Sequence, residues 1–423
     1  MSFRPFIAVA SASALLFATC PGAFAQSGSL TLTRAVQRAV NNNPRLTSAE
    51  RDIGIAAGRR QQAGAIPNPD VSFDLDNAIG SGDYRGTRSA ETTLQLSQLI
   101  ELGGKREARI AVGNAELDVA RWQRAAVRLE IISDTAVAFY SVLAAQRRIA
   151  IYDTQIAALQ RVSPLLQRRV EAGASSPAET ARAQIAIDLL RADRERARTT
   201  LATARLELAT LMGGNAPDYS QVSGNLGGTG RPVSFQAIRG ALDANPQLAR
   251  FSALRVQADA ELLSARLKPV PDLRAGVAWR HFRETNDNAA RVSVSAVVPL
   301  WDQNLGNIAA AREQRLKVES DRSAARSTLL LTLGRAYETL SGAEREIEIL
   351  RSSALPNARR AVDALESGYG QGRFTLLELL DAQRSMVEAS LRELEALLSF
   401  HTSLATIEGL IGAPLRLTRG QAR

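Results

Sequence analysis

Glu378 and Asp381 stand three positions apart, a spacing that puts both carboxylates on one face of a helix. Acids placed this way can cap a helix, bind a basic neighbour or, when repeated around an axis, form rings that attract cations. Little else in the chain suggests chemistry. His281 and His401 are the only histidines and Cys20 the only cysteine; the two histidines fall in different predicted elements. The Cys and His clusters of zinc and copper sites are therefore missing. There is no Gly-rich phosphate loop, no Gly-x-Ser-x-Gly elbow and no His-Glu-x-x-His motif. The three methionines are too scattered for a soft-metal relay. The expectation is a protein that is not an enzyme, with no catalytic residue, no cofactor and no resident metal.

Glu378 has a structural reading beside the functional one. Thr375-Leu376-Leu377-Glu378 fits a capping box, and so does Ser176-Pro177-Ala178-Glu179, with proline at the first helical position. Asp381 has no such capping role; its alternatives are a solvated face or a bond to Arg384. The two helix starts follow Gly173 and Gly372, which mark turns, and they belong to a larger pattern. Asn43-Pro44 and Pro67-Asn68-Pro69-Asp70 return 202 positions later as Asn245-Pro246 and Pro269-Val270-Pro271-Asp272. Further on the offset is 199: Gly173, Ser176, Glu179 and Gln184 answer to Gly372, Thr375, Glu378 and Gln383, and Leu211-Met212-Gly213 to Leu410-Ile411-Gly412. Solenoid repeats have periods of roughly 20–50 residues. A period near 200 means two equivalent halves about a pseudo-symmetry axis, and suggests a ring or tube.

Each half reads as short helix, helix, two strands, very long helix, turn and long helix. Strands are expected at about 70–77 and 91–99, then 272–282 and 291–298, from apolar and polar residues alternating with period two. Val71, Phe73 and Leu75 then share one face, and Ser72, Asp74 and Asp76 the other. The second pair is read as joined by a loop containing Glu284-Thr285-Asn286-Asp287-Asn288. Long helices are expected at about 105–170, 177–212, 306–370 and 376–411. The first would be roughly 100 Å long at about 1.5 Å per residue, and its apolar positions Leu129, Ile132, Ala136, Phe139 and Leu143 step by three and four as in a coiled coil. The first repeat is thus 26–212, a Gly-, Asn- and Ser-rich linker spans 213–232, the second repeat is 233–412, and a tail follows at 413–423. Gly103-Gly104 marks a turn before a helix start, so Glu101, Lys105 and Arg106 read either as that turn or as lining a junction between strands and rods.

Residues 1–25 carry Arg4, an apolar run and Ala23-Phe24-Ala25, the features of a signal peptide ending before Gln26. Phe17-Ala18-Thr19-Cys20 offers a lipoprotein reading as the alternative. The formal charge is +9, but arginines alternate with acids, as in Arg191-Ala192-Asp193-Arg194-Glu195-Arg196, the pattern of a solvated helical face and not of a nucleic-acid patch. Aromatic content of 5 % leaves few stacking platforms for bases, and no nucleic-acid partner is expected. After the leader, no stretch has the roughly 18 uninterrupted apolar residues of a membrane-spanning helix. The strands are then either part of a membrane barrel or a small soluble sheet capping a helical bundle.

Over the whole mature chain the sequence resembles the outer-membrane efflux protein family of TolC type. The resemblance is carried by Leu32-x6-Ala39-x3-Asn43-Pro44, by Pro299-Leu300-Trp301-Asp302 at the strand-to-helix junction, and by Tyr369-x2-Gly372-x5-Glu378-x2-Asp381-Ala382-Gln383 at the periplasmic tip. Ile66-Pro67-Asn68-Pro69 and Glu101-Leu102-Gly103-Gly104-Lys105-Arg106 look like the cobalt-zinc-cadmium resistance branch, although Leu99 and Ile100 stand where a proline is expected. The resemblance implies a mainly α fold with a small β part, a channel-tunnel whose homotrimer closes a 12-stranded β-barrel above an α-helical barrel. It implies an outer-membrane, periplasm-reaching channel that works with a periplasmic adaptor (membrane fusion protein) and an inner-membrane RND pump, in contact with outer-membrane lipid, and passes heavy-metal cations. Drug efflux, type I secretion or a soluble periplasmic coiled-coil adaptor are the alternatives. Glu378 and Asp381 match the acidic constriction of the family, Tyr369 and Arg373 are candidates for latch contacts between hairpins, Asp74 and Asp76 for lumen groups, and Gly173 and Gly372 for partner contacts at the tips.

Overall fold

The computed structural model describes residues 28–418, so the expected signal peptide, Cys20 and the end of the tail lie outside the described residues. In chain order the elements are α1 (Leu32–Asn42), α2 (Pro44–Ala63), β1 (Asp70–Asp76), β2 (Glu91–Ile100), α3 (Lys105–Glu171), α4 (Pro177–Leu211), β3 (Arg231–Pro232), α5 (Phe235–Arg239), α6 (Pro246–Leu267), β4 (Leu273–Phe282), β5 (Asp287–Ala296), α7 (Leu305–Ile349), a π turn (Leu350–Ala354), α8 (Leu355–Gly370), α9 (Leu376–Ile411) and β6 (Leu417–Thr418). Among the described residues, no helix is long and apolar enough to cross a membrane.

The rods are held by seams of apolar residues. In α3, Ile131, Thr135, Ala138, Phe139, Val142 and Ala145 are buried, then Tyr152, Ile156, Leu159, Val162 and Leu166. Their three-and-four spacing keeps one stripe of a 67-residue helix against its neighbours. Alanine on these seams lets α4 and α9 pack beside α3. Each repeat also builds a thicker core midway along the rods. In the first, Ala35, Ala39 and Leu46 of the short helices meet Ile131, Phe139, Leu208 and Tyr219. In the second, Ile238, Leu242 and Leu248 meet Leu333, Leu340, Phe400 and Ile407. Truncating one of these fully buried side chains to alanine costs roughly 2–5 kcal/mol.

Strands of both repeats join in one antiparallel sheet, order β1-β2-β4-β5. The central pairing crosses between repeats, with Leu96 opposite Val277 and Thr93 opposite Arg280. β1 and β5 are left as free edges.

Four details depart from the sequence reading. β5 begins at Asp287, not near 291, because Asn286 takes a left-handed conformation (φ 59°) that closes a tight turn, and Asp287 and Asn288 pair with Phe282 and His281. It also ends at Ala296, before the Val297-Val298-Pro299 run. The helix read as continuous over 306–370 is interrupted by the π turn. Only Thr375 and Glu378 form a full capping box; Ser176 caps the Ala178 N–H at 3.2 Å, and Glu179 completes no reciprocal bond among those observed. The linker is more ordered than its composition suggests: Leu30 bridges to Val222, and Arg231–Pro232 pairs with Leu417–Thr418.

Candidate functional site

The sheet has two chemically opposite faces. Residues paired across the ladder share a face, so Val71, Leu96, Val277 and Val292 form one apolar row, and Phe73, Leu94, Trp279 and Ala290 the next. Phe73 is 67 % exposed and Val292 79 %, a degree of apolar exposure that marks an interaction surface. The opposite face carries Asp74, Thr93 and Arg280 in one row and Ser72, Gln95 and Arg291 in another. Its arginines bridge strands: Arg280 donates to Glu91 at 2.9 Å and to Thr93 at 3.0 Å, and Arg274 reaches Asp70 at 3.3 Å. Asp74 accepts a hydrogen bond from the Ser72 hydroxyl at 3.3 Å. Asp76 has no ion pair among the described residues.

Where sheet becomes rod, Gly103 and Gly104 both adopt positive φ (70° and 77°), which only glycine takes without strain. A side chain on Gly103 would also strike Val270. The turn brings Lys105 to Asp272 at 2.8 Å, while the Leu102 N–H donates to the same carboxylate at 3.1 Å. Burial alone would raise the Asp272 pKa, but these two donors hold it below the usual range. Glu101 takes a forked contact from Arg109. These charges lock the junction between the repeats; Lys105 and Glu101 are bound to protein partners.

At the far end of the rods both hairpins turn in the same way. Gly173 (φ 69°) and Gly372 (φ 73°) end α3 and α8. The N–H of Ala174 bonds the Arg169 carbonyl at 2.8 Å, and that of Arg373 bonds the Gly368 carbonyl at 2.9 Å, the six-to-one bond of a Schellman motif. Tyr369 is 1 % exposed and sits between hairpins, among Val162, Leu166 and Ala183 of the first and Leu376 and Leu379 of the second. Arg169 lies over its ring at 4.9 Å and donates to its carbonyl at 2.8 Å. Burial pushes the Tyr369 phenol up, and the Glu179 charge adds to it.

Glu378 is exposed and accepts from the Thr375 N–H at 2.8 Å and hydroxyl at 2.9 Å, which holds its carboxyl below the usual range. Asp381 is exposed one turn further on and has no ion pair among the described residues; Arg384 turns instead to Glu388 at 3.4 Å. Asp381 lines an open groove of about 510 Å³ between α4 and α9, beside Leu189 and Leu377. The Arg373 side chain points outward.

A duplicated strand-pair and rod pattern, an apolar-faced sheet and paired acidic tips describe a tube wall, and a family comparison agrees across both repeats. The model for outer membrane efflux proteins matches residues 35–214 and again 237–413. The chain belongs to the outer membrane efflux protein family. It is 29 % identical over 386 residues to the cobalt-zinc-cadmium resistance protein CzcC of Cupriavidus metallidurans, covering 91 % of each chain. Among solved structures, it superposes on a membrane protein of Pseudomonas aeruginosa with a TM-score of 0.78, at 18 % identity over 90 % of this chain and 92 % of that one. The outer-membrane channel OprN gives 0.77, at 17 % identity over 90 % of each chain. As an outer membrane efflux protein, the chain belongs to the outer membrane and extends into the periplasm. The fold is that of the TolC-type channels.

Within this outer membrane efflux protein, the fold brings Glu378, Asp381, Tyr369, Arg373, Gly173 and Gly372 to one end and Asp74 and Asp76 to the other. Several residues escaped sequence reading. Arg169 is one of many arginines on a helix, and its place over Tyr369 depends on how two hairpins align. Gln155 and Gln383 bond each other in the buried seam between α3 and α9. Gln383 stands out in the sequence as the repeat mate of Gln184, yet the repeat gives no hint that Gln155 is its partner. Phe374 packs against Gly368 so closely that a Cβ there would strike its ring. Among the described residues, no three His, Cys, Asp or Glu side chains are placed to hold a metal.

Proposed function

We propose that this protein is the outer-membrane exit duct of a tripartite efflux system, passing metal cations from a periplasmic adaptor and an inner-membrane RND pump to the exterior. The observation that carries the reading is the four-stranded sheet with one apolar face and two unpaired edges. An open sheet edge in lipid leaves backbone N–H and C=O groups unpaired. Three copies give twelve strands, an even number within the range of outer-membrane barrels, and gather the rods into a tube beneath. Val71, Phe73 and Leu75 then face lipid, and Asp74 and Asp76 face the lumen.

At the periplasmic end, Glu378 and Asp381 repeat three times around the axis as two acidic rings that favour cations. Tyr369, held by Arg169, latches the second hairpin to the first, and Arg373 reaches the neighbouring protomer. The turns at Gly173 and Gly372 present the tips to the adaptor. Metal as cargo is supported by likeness to a cobalt-zinc-cadmium resistance protein across nine-tenths of the chain. Among the described residues the charged path carries no cluster placed to hold a metal, and this reading leaves metal selection to the pump and adaptor.

Fractionation of the tagged native protein, followed by detergent extraction and mass determination, tests the architecture. A heat-sensitive trimer from the outer membrane supports the duct. A soluble monomer or dimer in the periplasm overturns the barrel. Growth of a deletion strain on cobalt, zinc or cadmium tests the cargo, with unchanged tolerance to all three counting against metal export.

A further inference from the structure

The two repeats differ at one point along their rods. Residues 350–354 form a π turn, whereas the positions 199 earlier, 151–155, lie in unbroken α3. A single π turn in a long helix widens the backbone locally and frequently marks a functional site. Packing changes at the same place. Above the turn, α7 buries Leu329, Leu333, Ala336, Leu340, Ala343 and Ile347. Below it, α8 buries nothing until Gly368 and Tyr369 at its last turn. The matching stretch of α3 buries Ile156, Leu159, Val162 and Leu166. Within one protomer α8 lies along α9 but has few buried apolar residues between its two ends, and a segment of that kind opens at lower cost than a packed core.

The upper fastening is Arg351, inside the π turn. Its Nε donates to Glu393 of α9 at 2.7 Å, and its Nη1 donates to the Gly227 carbonyl of the inter-repeat linker at 3.0 Å. That stretch of linker is itself fixed. Leu226 is buried with Ala144 and Leu394, its carbonyl faces the His401 Nε2 at 2.9 Å, and the Gly227 N–H donates to Asn225 at 2.7 Å. Arg351 therefore ties the π turn to two points on different elements, a use of guanidinium geometry that lysine cannot reproduce.

We propose that the π turn is the hinge of the periplasmic gate and that Arg351 is the positioning residue that holds it in the closed setting. This rests on the duct reading above, with the Tyr369 latch taken as its gate. Rotation at Leu350–Ala354 carries α8 and Tyr369 away from Arg169, while α7 above the turn stays in its core. The linker between the repeats thereby becomes part of the gate, although it lies far from the tip.

The test is single-channel conductance of the full-length trimer in planar lipid bilayers. Arg351→Ala should raise resting conductance several-fold, Glu393→Gln should act in the same direction, and Arg351→Lys should fall between Arg351→Ala and wild type. Arg148→Ala breaks a similar exposed ion pair to α9, Arg148–Glu395 at 3.0 Å, but lies off the hinge and should leave conductance unchanged. Tyr369→Ala opens the tip directly. If Tyr369→Ala conducts freely while Arg351→Ala and Glu393→Gln stay at the wild-type level, the hinge is overturned and the gated duct stands. An equal rise in Arg148→Ala also overturns it, since any loosening of α9 would then suffice. If neither wild type nor Tyr369→Ala forms a channel, both readings fall.

Discussion

The Asn43 side-chain amide donates to the Leu211 carbonyl at 2.8 Å, closing the end of α4 from the start of α2. Its repeat mate does the same: Asn245 donates to the Leu410 carbonyl at 2.7 Å. Each asparagine also caps its own helix, accepting from the Arg45 N–H at 2.9 Å and the Gln247 N–H at 2.7 Å. One buried side chain thus satisfies an orphan donor at one helix start and an orphan acceptor at another helix end. The Asn-Pro signature of the duplication is a joint. Asn43→Ala leaves a buried carbonyl unpaired and removes a cap, a loss of roughly 1–3 kcal/mol. The expected outcome is a lower unfolding midpoint for the detergent-extracted protein. Asn245→Ala should cost a similar amount, and the two losses should add because the joints lie in separate cores.

The two tip acids should separate on substitution. Asp381 makes no ion pair among the described residues, so Asp381→Asn should leave thermal stability unchanged and weaken block of the channel by divalent cations several-fold. Glu378→Gln should weaken the block and also lower thermal stability, because Glu378 closes the capping box with Thr375. Its folded pKa is depressed by the two Thr375 donors. The stabilisation is therefore present above the unfolded value of about 4.3 and is lost as pH falls through the lower folded value. Melting curves at pH 3 and pH 6 check this: the gap between wild type and Glu378→Gln should be wider at pH 6 than at pH 3.

The fold was legible because it is periodic and said twice. Two-residue alternation around Phe73 and Leu94, three-and-four steps along α3, and the paired Asn-Pro motifs each fix a local element, and the duplication checks one against the other. Pairing across repeats was not legible. Nothing local to Leu96 or Val277 names the other as partner, and Arg280 reads as a lone charge until Glu91 stands beside it. The π turn was hidden for a related reason: Arg351-Ser352-Ser353-Ala354 has ordinary helical composition, and the widened turn shows only when the backbone is set against the unbroken α3. Gate contacts such as Arg169 on Tyr369 depend on the relative shift of two rods, which helical spacing leaves free.

His401 should make stability depend on pH near neutrality. It is buried on α9, stacked on Tyr140 at 4.5 Å and set edge-on to Phe400, with Nε2 on the Leu226 carbonyl and Nδ1 buried without a partner. Burial lowers its pKa, and the Leu226 carbonyl offsets only part of that. The unfolded chain, titrating near 6.5, then binds a proton that the folded chain refuses, so stability falls as pH drops below about 6.5 and continues falling to the folded value. His401→Gln keeps a donor for Leu226 and removes the titration. Its melting temperature should change less than wild type between pH 7.5 and pH 5, and parallel curves would show that His401 is not the group responsible.

Adjacent residues of β1 should give opposite phenotypes, because one strand serves two solvents. Phe73 stands in the apolar row with Leu94 and Trp279, and Asp74 in the polar row with Thr93 and Arg280. An arginine on the lipid face costs roughly 2–4 kcal/mol at the bilayer midplane, a cost incurred three times in a trimer. Phe73→Arg should therefore deplete the heat-sensitive trimer from outer membranes. Asp74→Asn removes a charge whose partner in the protomer is the Ser72 hydroxyl, so assembly should be normal and the ratio of cation to anion permeability, read from reversal potentials in a salt gradient, should fall. The pair tests the facing of the sheet as well as its environment. If Asp74→Asn abolished assembly while Phe73→Arg inserted normally, the polar row would be the packed face and the barrel assignment would be inverted.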